Sequence, residues 1–205
     1  MITASHARRA VVAAVAVTAT ALITTGGSAA ADTTAANPYV CQINATPGLP
    51  YSLGFTSSAP AQVKKNRNFT VKVTPDAITP NPVHNDYSYD LTLKLRLPSN
   101  ARLVSYHLTG GDTAVTSHVY GDDLVLEAAG PFPAKAPFQL PTVGLTLNAA
   151  DAGVVTTSPG GTGYDDYGFG WDFVPSAEEA PHVPNPSKLR CYPNPARPIT
   201  VTTVA

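Results

Sequence analysis

The sequence predicts an all-β, antiparallel β-sandwich of about nine strands, and three observations carry that prediction. Residues 87–98 read YSYDLTLKLRLP, with Tyr87, Tyr89, Leu91, Leu93, Leu95 and Leu97 alternating with Ser88, Asp90, Thr92, Lys94, Arg96 and Pro98. A period of two sets every apolar side chain of a strand on one face, whereas a helix would scatter them around its circumference. Such a strand has a wet face and a dry face, and the dry face needs a second sheet opposite it. The second observation is composition: 20 prolines and only 13% charged residues suit short strands joined by tight loops better than helices. The third is the cysteine pair, Cys41 near the start and Cys191 near the end, placed to tie the first strand to the last.

Residues 1–31 read as a signal peptide. Arg8 and Arg9 precede an apolar, Ala/Val-rich run over residues 10–23, followed by Gly26, Gly27 and Ser28-Ala29-Ala30-Ala31. The run is too short to span a bilayer comfortably, and Ala29 and Ala31 satisfy the A-x-A rule. Cleavage is expected after Ala31, with Ala30 as the alternative, and both the Sec and the twin-arginine route stay open. No cysteine follows the cleavage region to carry a lipid, and no later apolar run is long enough to hold the chain in a membrane. The expected location is therefore secreted, extracellular or loosely associated with the cell envelope.

Residues 32–205 suffice for one domain with a real core. Loss of Arg8 and Arg9 leaves 11 basic against 14 acidic residues, a formal charge of −3, which is no electrostatic footprint for nucleic acid or an anionic membrane. In an oxidising compartment Cys41 and Cys191 are expected to pair, and neither has the C-x-x-C or His spacing of a metal site. A loop of this length is stabilised by on the order of 5 kcal/mol on the chain-entropy model, an upper figure.

In chain order, residues 32–38 are Thr/Ala-rich and polar, which predicts a disordered leader. A first strand follows at 39–43, and Pro47-Gly48-Leu49-Pro50 turns the chain into a second at 51–57. Phe69, Val71 and Val73 alternate with Thr70, Lys72 and Thr74 as a strand, and a Pro-rich connection over 75–82 leads to the central strand. Residues 102–109 form another, ended by Gly110-Gly111-Asp112. Residues 117–120 and 123–127 form a hairpin across Gly121-Asp122, with Gly first as a type II′ turn prefers and Val119, Leu124 and Leu126 on the buried face. Further strands are predicted at 138–147, 168–174, 188–192 and 199–204, with 153–163 loose and 175–186 a polar loop.

This order of motifs resembles a family of secreted actinobacterial proteins. The resemblance rests on YVC at residues 39–41, an A-P-A-x-V turn before an F-x-V-x-V strand, S-Y-H-L-T-G-G, a G-x-x-L-x-L hairpin, G-P-F-P, L-P-T-V-x-L-T-L and a terminal C-Y-P. It spans residues 39–204 and implies an immunoglobulin-like β-sandwich with no established biochemical activity and no catalytic residues to carry over. Where family members usually carry Gly before the F-x-V-x-V strand, this chain has Lys64-Lys65-Asn66, and Asn can supply the same left-handed conformation.

Several groupings invite a functional reading. A hairpin centred between Asp112 and Thr113 would set His107 across from His118, but two imidazoles are half a metal site, and an accidental surface pair is the better reading. His84 and His182 sit in Pro-rich loops. There is no G-x-S-x-G, and the carboxylates at Asp122-Asp123 and Asp165-Asp166 lack calcium-loop spacing. The sequons at Asn44 and Asn68 are chance matches in a bacterial protein. Residues 160–172, GGTGYDDYGFGWD, gather Tyr164, Tyr167, Phe169 and Trp171. Strand periodicity makes Phe169, Trp171 and Phe173 core, leaving Tyr164, Asp165, Asp166 and Tyr167 as a candidate ligand-binding patch on an exposed loop.

The reading as a whole is a non-enzymatic binding or structural module at or outside the envelope. It expects no catalytic residue, metal or cofactor, and a partner that is an unknown envelope or extracellular protein or glycan. The alternative is a secreted hydrolase with a loop-assembled site.

Overall fold

A computed structural model describes residues 30–205, so all but the last two positions of the expected signal peptide lie outside the described residues. Fourteen strands and no helix occur among them: β1 (Ala31–Ile43), β2 (Thr46–Ala59), β3 (Gln62–Val63), β4 (Asn68–Pro75), β5 (Asn85–Arg96), β6 (Ala101–Thr109), β7 (Thr116–Tyr120), β8 (Asp123–Ala128), β9 (Phe132–Pro133), β10 (Thr142–Ala149), β11 (Gly153–Pro159), β12 (Phe169–Pro175), β13 (Ser187–Pro193) and β14 (Thr200–Val204). The chain-order reading names eleven strands, more than the nine of the fold-class prediction; the three beyond them are the two-residue β3 and β9, which carry no periodicity, and β11, expected to be loose.

The predicted central strand is the hub. Along one edge β5 pairs with β12 and the end of β11, and along the other with β8 and β9. From β12 the strands continue through β13, β1, β2, β4 and β10 to β6, while β11 leads to β14 and β3. Every pairing is antiparallel except the short one between β14 and β3. The ribbon bends over itself without closing, and the dry faces of β5, β8 and β12 share one core with those of β4 and β10. Leu91, Leu93 and Leu95 belong to the same buried cluster as Val71, Val73, Val143 and Leu145. Each such side chain stabilises the fold by about 2 kcal/mol.

Cys41 and Cys191 face each other across β1 and β13 and are bonded, S–S 2.03 Å, with 1% and 0% exposure. The bridge thus ties the first strand to the penultimate one. In the β7–β8 hairpin, only Gly121 of the two turn residues has a positive φ, 57°, as a type II′ turn requires. Leu124 and Leu126 are buried, but Val119, on an outer strand, is 44% exposed. Asn66 takes the left-handed conformation expected of it, φ 60°.

Four expectations are corrected. Residues 32–38 are not a disordered leader: they run as the first half of β1, paired with residues 52–58 of β2. The Asn37 side chain is buried and accepts a hydrogen bond from the Arg197 amide at 2.9 Å. A polar segment is held there because the edge of β2 needs a partner. Residues 153–159, expected to be loose, are a strand between β14 and β5, in keeping with the β-branched run Val154-Val155-Thr156-Thr157. Tyr87 and Tyr89 leave the leucine face because β5 bulges at Asp90, φ 51°: Gly170 lies opposite Thr92, but Asp172 lies opposite Tyr89. Ser88 turns inward instead, and the two tyrosines pack on each other outside, ring centroids 6.0 Å apart. Finally, β6 and β7 are not a hairpin. β6 pairs with β10, where His107 lies opposite Gly144, and β7 pairs with β8, where His118 lies opposite Val125.

Candidate functional site

The residues of the expected loop patch lie together, and three of the four, Tyr164, Asp166 and Tyr167, are engaged by the protein's own groups. A Cβ on Gly168 would overlap the Gly160 carbonyl, so glycine there lets the loop fold flat against the sheet. Its backbone is clamped: the Gly168 amide donates to Cys191 O at 2.8 Å, and Gly168 O accepts from the Lys94 amide at 2.8 Å. Asp166 accepts from Lys94 Nζ at 2.7 Å and from Thr162 Oγ1 at 2.9 Å, and the Lys94 hydrogen bond holds its carboxyl below the usual range. The Tyr167 ring lies between the Arg190 guanidinium, 4.6 Å from its centroid, and the Lys94 ammonium at 5.6 Å. Tyr164 packs edge-on against Tyr192 at 5.1 Å. Of the four, only Asp165 is fully exposed.

The neighbouring carboxylates are also engaged. Asp123 is buried and lies 2.7 Å from Arg96 Nε, with burial pushing its carboxyl up against the opposing pull of Arg96 and Lys94. Among the described residues no group of three or more His, Cys, Asp or Glu side chains is placed to hold a metal.

A mainly apolar cleft of about 250 Å³ lies beside Trp171. One wall is strand: Cys41 and Ile43 from β1, Leu49, Pro50 and Tyr51 from β2, Trp171 and Phe173 from β12, and Leu189 from β13. Alternation on β12 turns Phe169, Trp171 and Phe173 to one face at 0%, 4% and 3% exposure, as expected for core, yet Trp171 and Phe173 also reach the cleft. Tyr51 stacks on Phe169 at 5.2 Å, and Trp171 meets Phe169 edge-on at 5.2 Å, so the aromatic wall is braced from behind. Burial pushes the Tyr51 hydroxyl up to about 12, further from a neutral pH at which tyrosine is already uncharged. The Trp171 indole N–H is buried with no hydrogen-bond partner.

The facing wall is the Pro-rich connection, which supplies Thr79, Asn81 and His84, together with Asn85, the first residue of β5. Asn81 knots it. Its backbone oxygen accepts from the Asn85 amide at 2.9 Å and from Asn85 Nδ2 at 2.8 Å, and its Oδ1 accepts from the Val83 amide at 3.0 Å. Ser176 Oγ donates to Val83 O at 2.7 Å, and His84 Nδ1 lies 3.2 Å from Glu179 Oε1, so the connection is pinned to residues 176–179. Two large apolar side chains stand exposed here, Leu49 on the lining and Val83 beside it. The cleft can take an apolar group by burial and orient it with a few polar atoms, the usual composition of a small-ligand site.

No protein-family model matches the chain, and no curated protein matches it. Among solved structures, the chain is similar to a protein described as membrane-anchored from Corynebacterium diphtheriae, with 15% identity and a TM-score of 0.45 over 84% of this chain and 38% of that one. It is also similar to a non-cellulosomal cohesin from the archaeon Archaeoglobus fulgidus, with 8% identity and a TM-score of 0.32 over 70% of this chain and 85% of that one. The chain thus spans well under half the length of the Corynebacterium protein.

Proposed function

We propose that this protein is a secreted, non-enzymatic binding module acting at or outside the cell envelope, of the actinobacterial family its motif order resembles, and that it binds through the cleft beside Trp171. The observation that carries this reading is the cleft itself: about 250 Å³, walled by aromatic and aliphatic side chains, with exposed Leu49 on its lining. A cavity of about 150 Å³ with comparable walls can take up benzene, so this one has room for a ring or a branched chain. The buried Cys41–Cys191 bond supports an oxidising location.

Trp171 is the only tryptophan, so its emission reports on the site directly. Titrating the exported protein with toluene should change that emission saturably. Leu49→Phe, which adds a ring to the lining, should weaken the response at least tenfold while leaving the thermal midpoint near that of wild type. A response that does not saturate, or that Leu49→Phe leaves unchanged, would remove the cleft from consideration.

A further inference from the structure

We infer that the cleft takes an uncharged extended peptide segment, with an apolar side chain against Trp171 and that residue's own N–H and C=O paired to Asn85 and Asn81; this rests on the cleft being the binding site.

The argument starts from the Pro-rich connection. Asn81 and Asn85 both line the cleft, and each spends one end of its side-chain amide on the connection itself. Asn81 Oδ1 is taken by the Val83 amide, and Asn85 Nδ2 donates to Asn81 O. What remains is Asn81 Nδ2, a donor, and Asn85 Oδ1, an acceptor, neither with a hydrogen-bond partner among the described residues. A donor and an acceptor on one short, pinned segment match the C=O and N–H that one residue of an extended chain presents on the same side. An ether oxygen, which only accepts, would satisfy half of that pair.

The opposite wall sets the side chain. Trp171, Phe173 and Leu189 are 4%, 3% and 8% exposed, and Tyr51 stays neutral through the physiological range. His84, the other titratable group of the lining, is already engaged by Glu179. A charged side chain would therefore enter without a counter-ion and lose its hydration, whereas a leucine or phenylalanine side chain fits the volume and gains by burial. Exposed Leu49 and Val83 offer apolar contact to the flanking residues of such a segment, as anchor pockets at protein interfaces do.

The single indole N–H gives one resolved amide-region NMR signal, so binding can be read without assigning the whole spectrum. Three probes are titrated into the 15N-labelled exported protein: N-acetyl-L-leucinamide, toluene, and methyl β-D-glucopyranoside as a sugar counterpart without an amide. Each is repeated with Asn81→Asp, which keeps the oxygen bonded to Val83 and removes the donor. N-acetyl-L-leucinamide should shift the indole signal saturably and bind about tenfold more weakly to Asn81→Asp, the loss expected of one ligand hydrogen bond. Toluene should bind both proteins alike. If leucinamide also binds both alike, the amide pairing is overturned while the cleft stands. If methyl β-D-glucopyranoside binds more tightly than leucinamide, the peptide assignment is overturned in favour of a glycan. If no probe moves the signal, the cleft itself is refuted as the site.

Discussion

Lys94 projects from the wet face of β5, where alternation alone makes it a solvated residue that tolerates replacement. Its surroundings say otherwise. The side chain is only 16% exposed, Nζ donates to Asp166 at 2.7 Å and lies 5.6 Å from the Tyr167 ring centroid, and Asp123 is close enough to feel its charge. Lys94→Met keeps the stem and removes the charge. Because the Asp166 side chain is 46% exposed, the ion pair is discounted to about 1 kcal/mol, and the ring contact adds about 0.5 kcal/mol. The expected loss is about 1.5 kcal/mol, a shift of roughly 0.7 M in the urea midpoint for a slope near 2 kcal/mol/M. Lys94→Asp should cost more, about 3 kcal/mol, since it sets a third carboxylate beside Asp166 and Asp123.

The pH dependence separates this account from a loss of packing. Lys94 depresses the Asp166 carboxyl, so the pair's stabilisation is complete above the unfolded Asp value near 4 and is lost as pH falls through the lower folded value. Asp123 acts in the same sense. Its carboxyl is already raised by burial and rises further without Lys94, so acidification relieves the variant more than the wild type. Urea unfolding followed by Trp171 emission should show the full gap between wild type and Lys94→Met at pH 7 and a smaller one at pH 3.5. A Lys94→Asp protein that unfolds at the wild-type midpoint, or a gap indifferent to pH, would refute the reasoning.

Other consequences are open to direct measurement. Free-thiol labelling of unfolded, unreduced protein should find no thiol, and the Cys41→Ser/Cys191→Ser double variant, which opens a loop of 150 residues, should lose about 2–5 kcal/mol in urea titrations. Asn66→Ala should cost about 1 kcal/mol, because φ at Asn66 is 60°, whereas Asn66→Gly should leave the urea midpoint within about 0.3 M.

What the sequence revealed and what it hid divide along a physical line. Leu91, Leu93 and Leu95, the β7–β8 turn and the left-handed Asn66 were legible because their signals are local: a period of two, Gly first in a two-residue turn, Asn before a strand. The disulfide was legible from export and an even cysteine count. The inward turn of Ser88 and outward turn of Tyr87 and Tyr89 were not, because one extra residue at Asp90 inverts the alternation, and nothing in the letters YSYDL marks a bulge. Residues 32–38 look disordered because what orders them is β2, and β11 was overlooked although Val154 and Val155 advertised it. Histidines 107 and 118 were misplaced by taking neighbours in sequence as neighbours in the sheet.

The candidate site was the least legible part. In the aromatic stretch 160–172 the loop tip is held by Lys94 and Arg190, while Trp171, expected as core, also lines the cleft. The rest of the lining is drawn from positions 41 to 189; its strand wall converges through the pairing of β2, β1, β13 and β12, and the connection before β5 closes the other side. Asn81 and Asn85 gave a weak signal, two amides flanking a Pro-rich turn, which becomes meaningful only once their used and unused ends are known.

The central claim, that a partner meets this protein at the cleft and not at the loop tip, is tested most directly by site-specific photo-crosslinking in the cell envelope. A benzophenone side chain is placed at Leu49, on the cleft lining, or at Tyr164, at the loop tip, and cells are irradiated before extraction. The account predicts a discrete adduct from position 49 that excess soluble wild-type protein competes away, and none from position 164. An adduct from position 164 with none from position 49 would contradict it.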